Sequence, residues 1–70
     1  MKAEAPKLTK RMAQVLEGIA LGKNNEHIGL DLRISRKTVE KFRAQLYKAF
    51  KVDNAVSLVM AALRGGFITL

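Results

Sequence analysis

Two stretches with helical spacing of apolar residues are separated by only Arg33-Ile34-Ser35, and that short joint constrains the fold more than any other feature. Before it, Ile28 and Leu32 give one segment a single apolar face. After it, Val39, Phe42, Leu46 and Phe50 form one stripe. Recurrence at three- and four-residue steps marks an amphipathic helix. A joint this short forces a sharp turn and fits a helix-turn-helix unit. Ser35 stands where a side-chain oxygen caps the free N–H groups of the helix that follows the joint.

The same spacing continues on either side. Met12, Val15, Leu16 and Ile19 predict a helix that Thr9 can cap and Gly22 can close. Asn24 is a cap candidate for the helix carrying Ile28. Asp53 or Asn54 caps a fourth helix that runs to Gly65-Gly66. Nothing reads as a strand, so the expected fold is all-α with four helices. Residues 1–7 are polar and hold the only proline, which predicts a flexible arm ahead of one domain over 8–70.

Composition narrows the function. The chain has 70 residues, no cysteine and one histidine, so disulfides, thiolate metal sites and multi-histidine sites are excluded. The only serines are Ser35 and Ser57, and so short a chain has little wall for a pocket around a triad built on His27. An enzyme is not expected, nor is a cofactor or a metal. His27, alone in a first helical turn, reads as a surface residue or a phosphate neighbour.

The net charge of +7 favours a polyanionic partner. The longest apolar run, Leu58 to Leu63, falls far short of the ~20 residues of a membrane span. The start lacks the apolar core of a secretory signal, which points to the cytoplasm. A membrane-surface helix wants aromatic or leucine residues beside its basic face. Phe42 and Phe50 point the other way, so no membrane role is expected. RNA stacking needs exposed aromatics, and Tyr47 is the only candidate.

On a wheel of 100° per residue, Lys37, Lys41, Ala44 and Lys48 lie opposite the apolar stripe of the third helix, flanked by Glu40 and Gln45. Arg33 to Lys51 holds seven basic residues and one acid, Glu40. A lysine-rich face on an isolated helix is ordinarily a solvated one. Behind a short helix and a tight turn, it fits a helix that enters the major groove of double-stranded DNA. Small Ala44 lets the backbone approach the bases, and the lysines around it neutralise phosphates. Glu40 is open to several readings: it can accept from a cytosine amino group, pair with a nearby lysine, or disfavour DNA.

The fourth helix has two apolar faces. Ala55, Leu58, Ala61 and Ala62 lie on one side, and Val56, Val59, Met60 and Leu63 lie roughly opposite. One face suffices to dock on a small core. The second predicts a two-fold homodimer interface at Val56, Val59, Met60 and Leu63. Such a dimer sets two reading helices about one DNA turn apart, over a roughly palindromic site. The Phe67-Ile68-Thr69-Leu70 tail adds apolar surface to such a dimer, or to pairing with another protein.

The residues Leu8-Thr9, Arg11, Val15-Leu16, Ile19-Ala20, Gly22, Asn25, Ile28, Leu32, Ile34-Ser35, Lys37-Thr38-Val39, Arg43, Lys48, Val52, Asn54, Leu58-Val59 and Ala62 together resemble the LuxR-type (GerE-like) helix-turn-helix domain. Such domains occur in LuxR-family quorum regulators and NarL/FixJ-type response regulators. The resemblance covers about residues 8–68. It implies a four-helix fold, dimerisation through the last helix, and transcriptional control. It implies that Lys37, Glu40, Lys41 and Ala44 face bases, beside the outward Lys48 of the wheel. Thr9, Lys23, Asn25, Ser35, Arg36, Thr38 and Arg43 would sit at or near phosphates. The wheel places Arg43 at the edge of the apolar stripe, where a structural role is equally open.

The family pattern usually has acids where Met12 and His27 stand, and a histidine where Phe42 stands. The reciprocal half of two capping boxes is therefore missing. These departures bear on stability more than on DNA binding. If complete, a chain of this length has no room for a sensor domain, so its activity would follow its own concentration or a partner. A second reading makes it an interaction module that pairs through its last helix with a larger regulator or another protein and antagonises it.

Overall fold

The computed structural model describes residues 6–69, and among these the secondary structure is four α-helices with no strand. They are α1 (Lys10–Ala20), α2 (Asn25–Leu32), α3 (Arg36–Phe50) and α4 (Ala55–Arg64). The joint between α2 and α3 is Arg33-Ile34-Ser35, as the spacing predicts. Residues 1–5 of the expected arm, and Leu70 of the tail, lie outside the described residues.

Each helix begins on a polar side chain that accepts the backbone N–H three residues on. Thr9 accepts from Met12 at 3.1 Å, Asn24 from His27 at 2.8 Å, Ser35 from Thr38 at 3.0 Å and Asn54 from Ser57 at 2.8 Å. Asn54, not Asp53, is the cap of α4, and Asp53 accepts the Asn54 side-chain amide at 2.9 Å. Thr9 and Asn24 thus cap through their forward bonds, with no acid at Met12 or His27 to return one.

All four helices end in the same way. The chain turns left-handed at Gly22, Arg33, Lys51 and Gly66. The following N–H closes on a carbonyl five residues back: Lys23 on Gly18 (3.0 Å), Ile34 on Gly29 (2.9 Å), Val52 on Tyr47 (3.0 Å) and Phe67 on Ala62 (2.9 Å). This is the Schellman arrangement, in which an apolar residue just past the turn commonly packs back on the helix. Ile34, Val52 and Phe67 do so here, against the core.

The core is one cluster shared by every helix: Val15, Leu16 and Ile19 of α1, Ile28 of α2, Val39 and Leu46 of α3, Leu58 and Ala62 of α4. α3 packs against each of the other three. Two glycines set the close approaches. A Cβ on Gly18 would stand 2.8 Å from the Ile28 side chain, which is where α1 and α2 touch. A Cβ on Gly29 would stand 2.8 Å from the Ile34 carbonyl oxygen, so the turn into α3 folds tightly over α2 only because Gly29 has none. Arg11 adds a tie, donating from Nη1 to the Leu32 carbonyl at the end of α2 at 3.3 Å.

The tail turns inward. Phe67 meets Phe50 edge to face at 5.2 Å between centroids, and Phe67 and Ile68 pack on the core. Their apolar surface is thus largely spent within the chain rather than offered to a partner. No helix among the described residues is long and apolar enough to cross a membrane.

Candidate nucleic-acid interface

α3 owes its orientation to its own sequence. Val39 and Leu46 are fully buried, with Phe42 and Phe50 half-buried beside them, and this fixes which side faces out. Lys37, Glu40, Lys41, Ala44 and Lys48 are all exposed on the opposite side. The stripe expected from the wheel is therefore one continuous surface, with Ala44 as its low point. Ser35, Arg36 and Thr38 gather at the head of the helix. There Ser35 Oγ lies 2.9 Å from Thr38 Oγ1, in addition to capping its N–H.

Glu40 is paired, with Arg36 rather than a lysine. The Arg36 Nε donates to Glu40 Oε2 at 3.1 Å across one turn of α3. The edge position of Arg43 proves to be a junction between helices. Its Nη1 donates to Asn25 Oδ1 of α2 at 2.9 Å, and its Nε donates to the Tyr47 hydroxyl at 3.0 Å. The guanidinium carbon also lies 5.9 Å from the Tyr47 ring centroid, within the range of cation–π attraction. Tyr47 is half-buried and occupied in this way, so it offers no free stacking platform.

The remaining expected phosphate neighbours are spread out. Thr9 and Lys23 flank opposite ends of α1. The Lys23 Nζ donates to Asp31 Oδ2 at 2.7 Å, and this bond, with the lysine's charge behind it, holds the Asp31 carboxyl below the usual carboxylate range. Asn25 is tied to Arg43 as described. His27 is exposed near the start of α2.

The second apolar face of α4 is narrower than its sequence suggests. Leu58 and Ala62 are buried, and Ala55 and Ala61 are half-buried beside them. On the other side Val56 is 74% exposed and Met60 48%, whereas Val59 packs partly on the core and Leu63 is half-buried. The outward stripe is thus centred on Val56 and Met60, with Val59 and Leu63 as its borders.

Sequence reasoning missed the Arg43–Asn25 bond and the Arg11 tie. The four-residue step from Arg43 to Tyr47 is visible in the sequence. The partners 18 and 21 positions away depend on helix crossing angles that no local pattern encodes.

Residues 6–62 match the family described as bacterial regulatory proteins, luxR family. The chain is 41% identical over 63 residues to the uncharacterized response regulatory protein YgeK of Escherichia coli (strain K12), covering 90% of this chain and 43% of that protein. It is 39% identical over 67 residues to the transcriptional regulatory protein FixJ of Rhizobium meliloti (strain 1021), covering 96% and 33%. Among solved structures, a VqmA–ligand–DNA complex from Vibrio cholera superposes with a TM-score of 0.83 at 37% identity, covering 93% of this chain and 29% of that one. VqmA bound to DPO gives 0.82 at 36% identity, covering 90% and 32%. The chain spans less than half the length of each of these proteins.

Proposed function

The chain belongs to the luxR family of bacterial regulatory proteins, and on that premise we propose that it is a cytoplasmic, sequence-specific DNA-binding module of transcription control that works as a homodimer. The observation that carries this reading is the exposed stripe of Lys37, Lys41, Ala44 and Lys48 on α3. Its back is locked into the core through Val39 and Leu46.

The role is binding, not catalysis. α3 lies in the major groove with Lys37, Glu40, Lys41, Ala44 and Lys48 toward the base edges. Ser35, Arg36 and Thr38 meet the backbone at the head of the helix, and Thr9 at the cap of α1, Lys23 in the turn after it and Asn25 at the start of α2 meet it as well. Arg43 ties α3 to α2 through Nη1 while Tyr47 of its own helix holds Nε, and its second terminal nitrogen reaches a phosphate. Two chains pair through the Val56–Met60 stripe of α4, with Val59 and Leu63 at the margin. That pairing places the two copies of α3 on half-sites roughly 34–36 Å apart.

Kinship with the regulator FixJ supports this reading, as does a solved relative, VqmA, described as a dimer that binds target DNA. The antagonist reading has no comparable support. The test is a selection from random duplexes with the purified chain. It is expected to enrich an inverted repeat of two half-sites, with affinity falling steeply as salt rises. Binding with no enriched motif, or no binding at all, contradicts the proposal.

A further inference from the structure

We propose that Arg36 and Glu40 form a single reading device on α3, in which Glu40 accepts a hydrogen bond from the amino group of a cytosine while Arg36 shields its charge from the DNA phosphates. The inference rests on the reading that α3 enters the major groove, and assigns one base preference within it.

Glu40 is the one acid among the seven basic residues from Arg33 to Lys51. It lies on the surface that must approach a polyanion, where an unpaired carboxylate is repelled. Arg36 stands one turn nearer the head of the helix and donates to it at 3.1 Å. The pair does little for the helix itself. Its side chains are 69% and 46% exposed, and a basic residue ahead of an acidic one is the weaker order for such a pair. The arrangement is better explained by what it presents outward. The Arg36 bond engages Oε2, and a carboxylate has about four acceptor positions, so capacity remains for a base. Ala44, one turn beyond Glu40, leaves room on that flank.

The choice of base follows from the chemistry of the groove. An ionised carboxylate only accepts, and the donors on the major-groove edges are the amino groups of cytosine and adenine. Adenine presents its amino group beside the acceptor N7, which suits an amide that both donates and accepts. Cytosine presents the amino group without that adjacent acceptor, and suits Glu40. Lys37 or Lys41 is then placed to donate to O6 and N7 of the paired or adjacent guanine.

The experiment compares motifs selected from random duplexes by wild type, E40A, R36A and the double variant, with circular dichroism confirming the helices of each. Wild type is expected to enrich cytosine at one position of each half-site. E40A should lose that preference by roughly tenfold while keeping the other positions. R36A should weaken binding to every sequence by more than the loss of its one phosphate contact, and adding E40A to it should restore the part that the uncompensated charge costs. A wild-type motif left unchanged in E40A overturns the pair alone. So does a uniform gain in affinity in E40A with no position altered, which would make Glu40 merely repulsive. A wild type that enriches no motif overturns the groove reading, and this pair with it.

Discussion

Arg33 and Lys51 occupy left-handed backbone, at φ 59° and 58°, where a β-carbon crowds the following carbonyl. The other two helices place glycine at the equivalent turn, at Gly22 and Gly66. The strain at Arg33 and Lys51 exceeds the extra chain entropy that glycine loses on folding, which is about 0.5–1 kcal/mol. Arg33→Gly and Lys51→Gly are each predicted to raise stability by about 0.5–1 kcal/mol, read as a higher midpoint in urea at unchanged slope. A fall in the midpoint would mean that these side chains make contacts that outweigh the strain. Nothing local announces this conformation at a basic residue, whereas Gly22 and Gly65-Gly66 signal their turns by residue type. Gly29 is the opposite case. Its sequence context is that of any helical glycine, and only the folded turn reveals that the Ile34 carbonyl needs the space.

Helix ends and helix faces are the most readable part of the molecule. Thr9, Asn24, Ser35 and Asn54 act within three residues of themselves, so composition and order suffice to place them. The burial of Val39 and Leu46, and hence the outward turn of Lys37 and Lys41, follows from period alone. What period does not encode is how helices cross. The Arg43–Asn25 bond exists because α2 and α3 meet at the angle set by the short joint and Gly29. It is the one side-chain bond between these two helices among the described residues. A double-mutant cycle of Arg43→Met and Asn25→Ala is predicted to give a coupling of about 0.5–1.5 kcal/mol in unfolding free energy. Additive losses would show that the two side chains do not support each other.

α4 shows the same division. Its two apolar faces are legible, but the packing of Val59 on the core, and of Phe67 on Phe50, required the tertiary fold. Val56→Glu or Met60→Glu is accordingly the cleaner probe of pairing, because neither side chain belongs to the core. Sedimentation of either variant at roughly tens of micromolar should shift from dimer toward monomer with its helices intact. A wild type already monomeric there would remove the proposed interface.

A domain of this size buries only about 60% of its unfolded surface, so stability is marginal and any partner that binds the folded state adds to it. The chain divides its labour accordingly. One cluster of aliphatic residues holds four capped helices, and the outer side of α3 carries Arg36, Lys37, Lys41 and Lys48 with Glu40 as its one acid. Kinship with the luxR family accounts for the arrangement. Yet the local rules alone, a three-residue joint and a lysine stripe opposite Val39 and Leu46, already specify which surface is turned outward for the proposed contact with DNA. The decisive measurement is binding of the chain to its selected duplex at moderate ionic strength, compared with a Lys37→Ala, Lys41→Ala variant whose unfolding curve matches wild type. Affinity is predicted to fall by at least about tenfold, as expected when two charge-assisted contacts are lost. An unchanged isotherm would contradict the account, because α3 would then be a solvated helix and not the element that enters the groove.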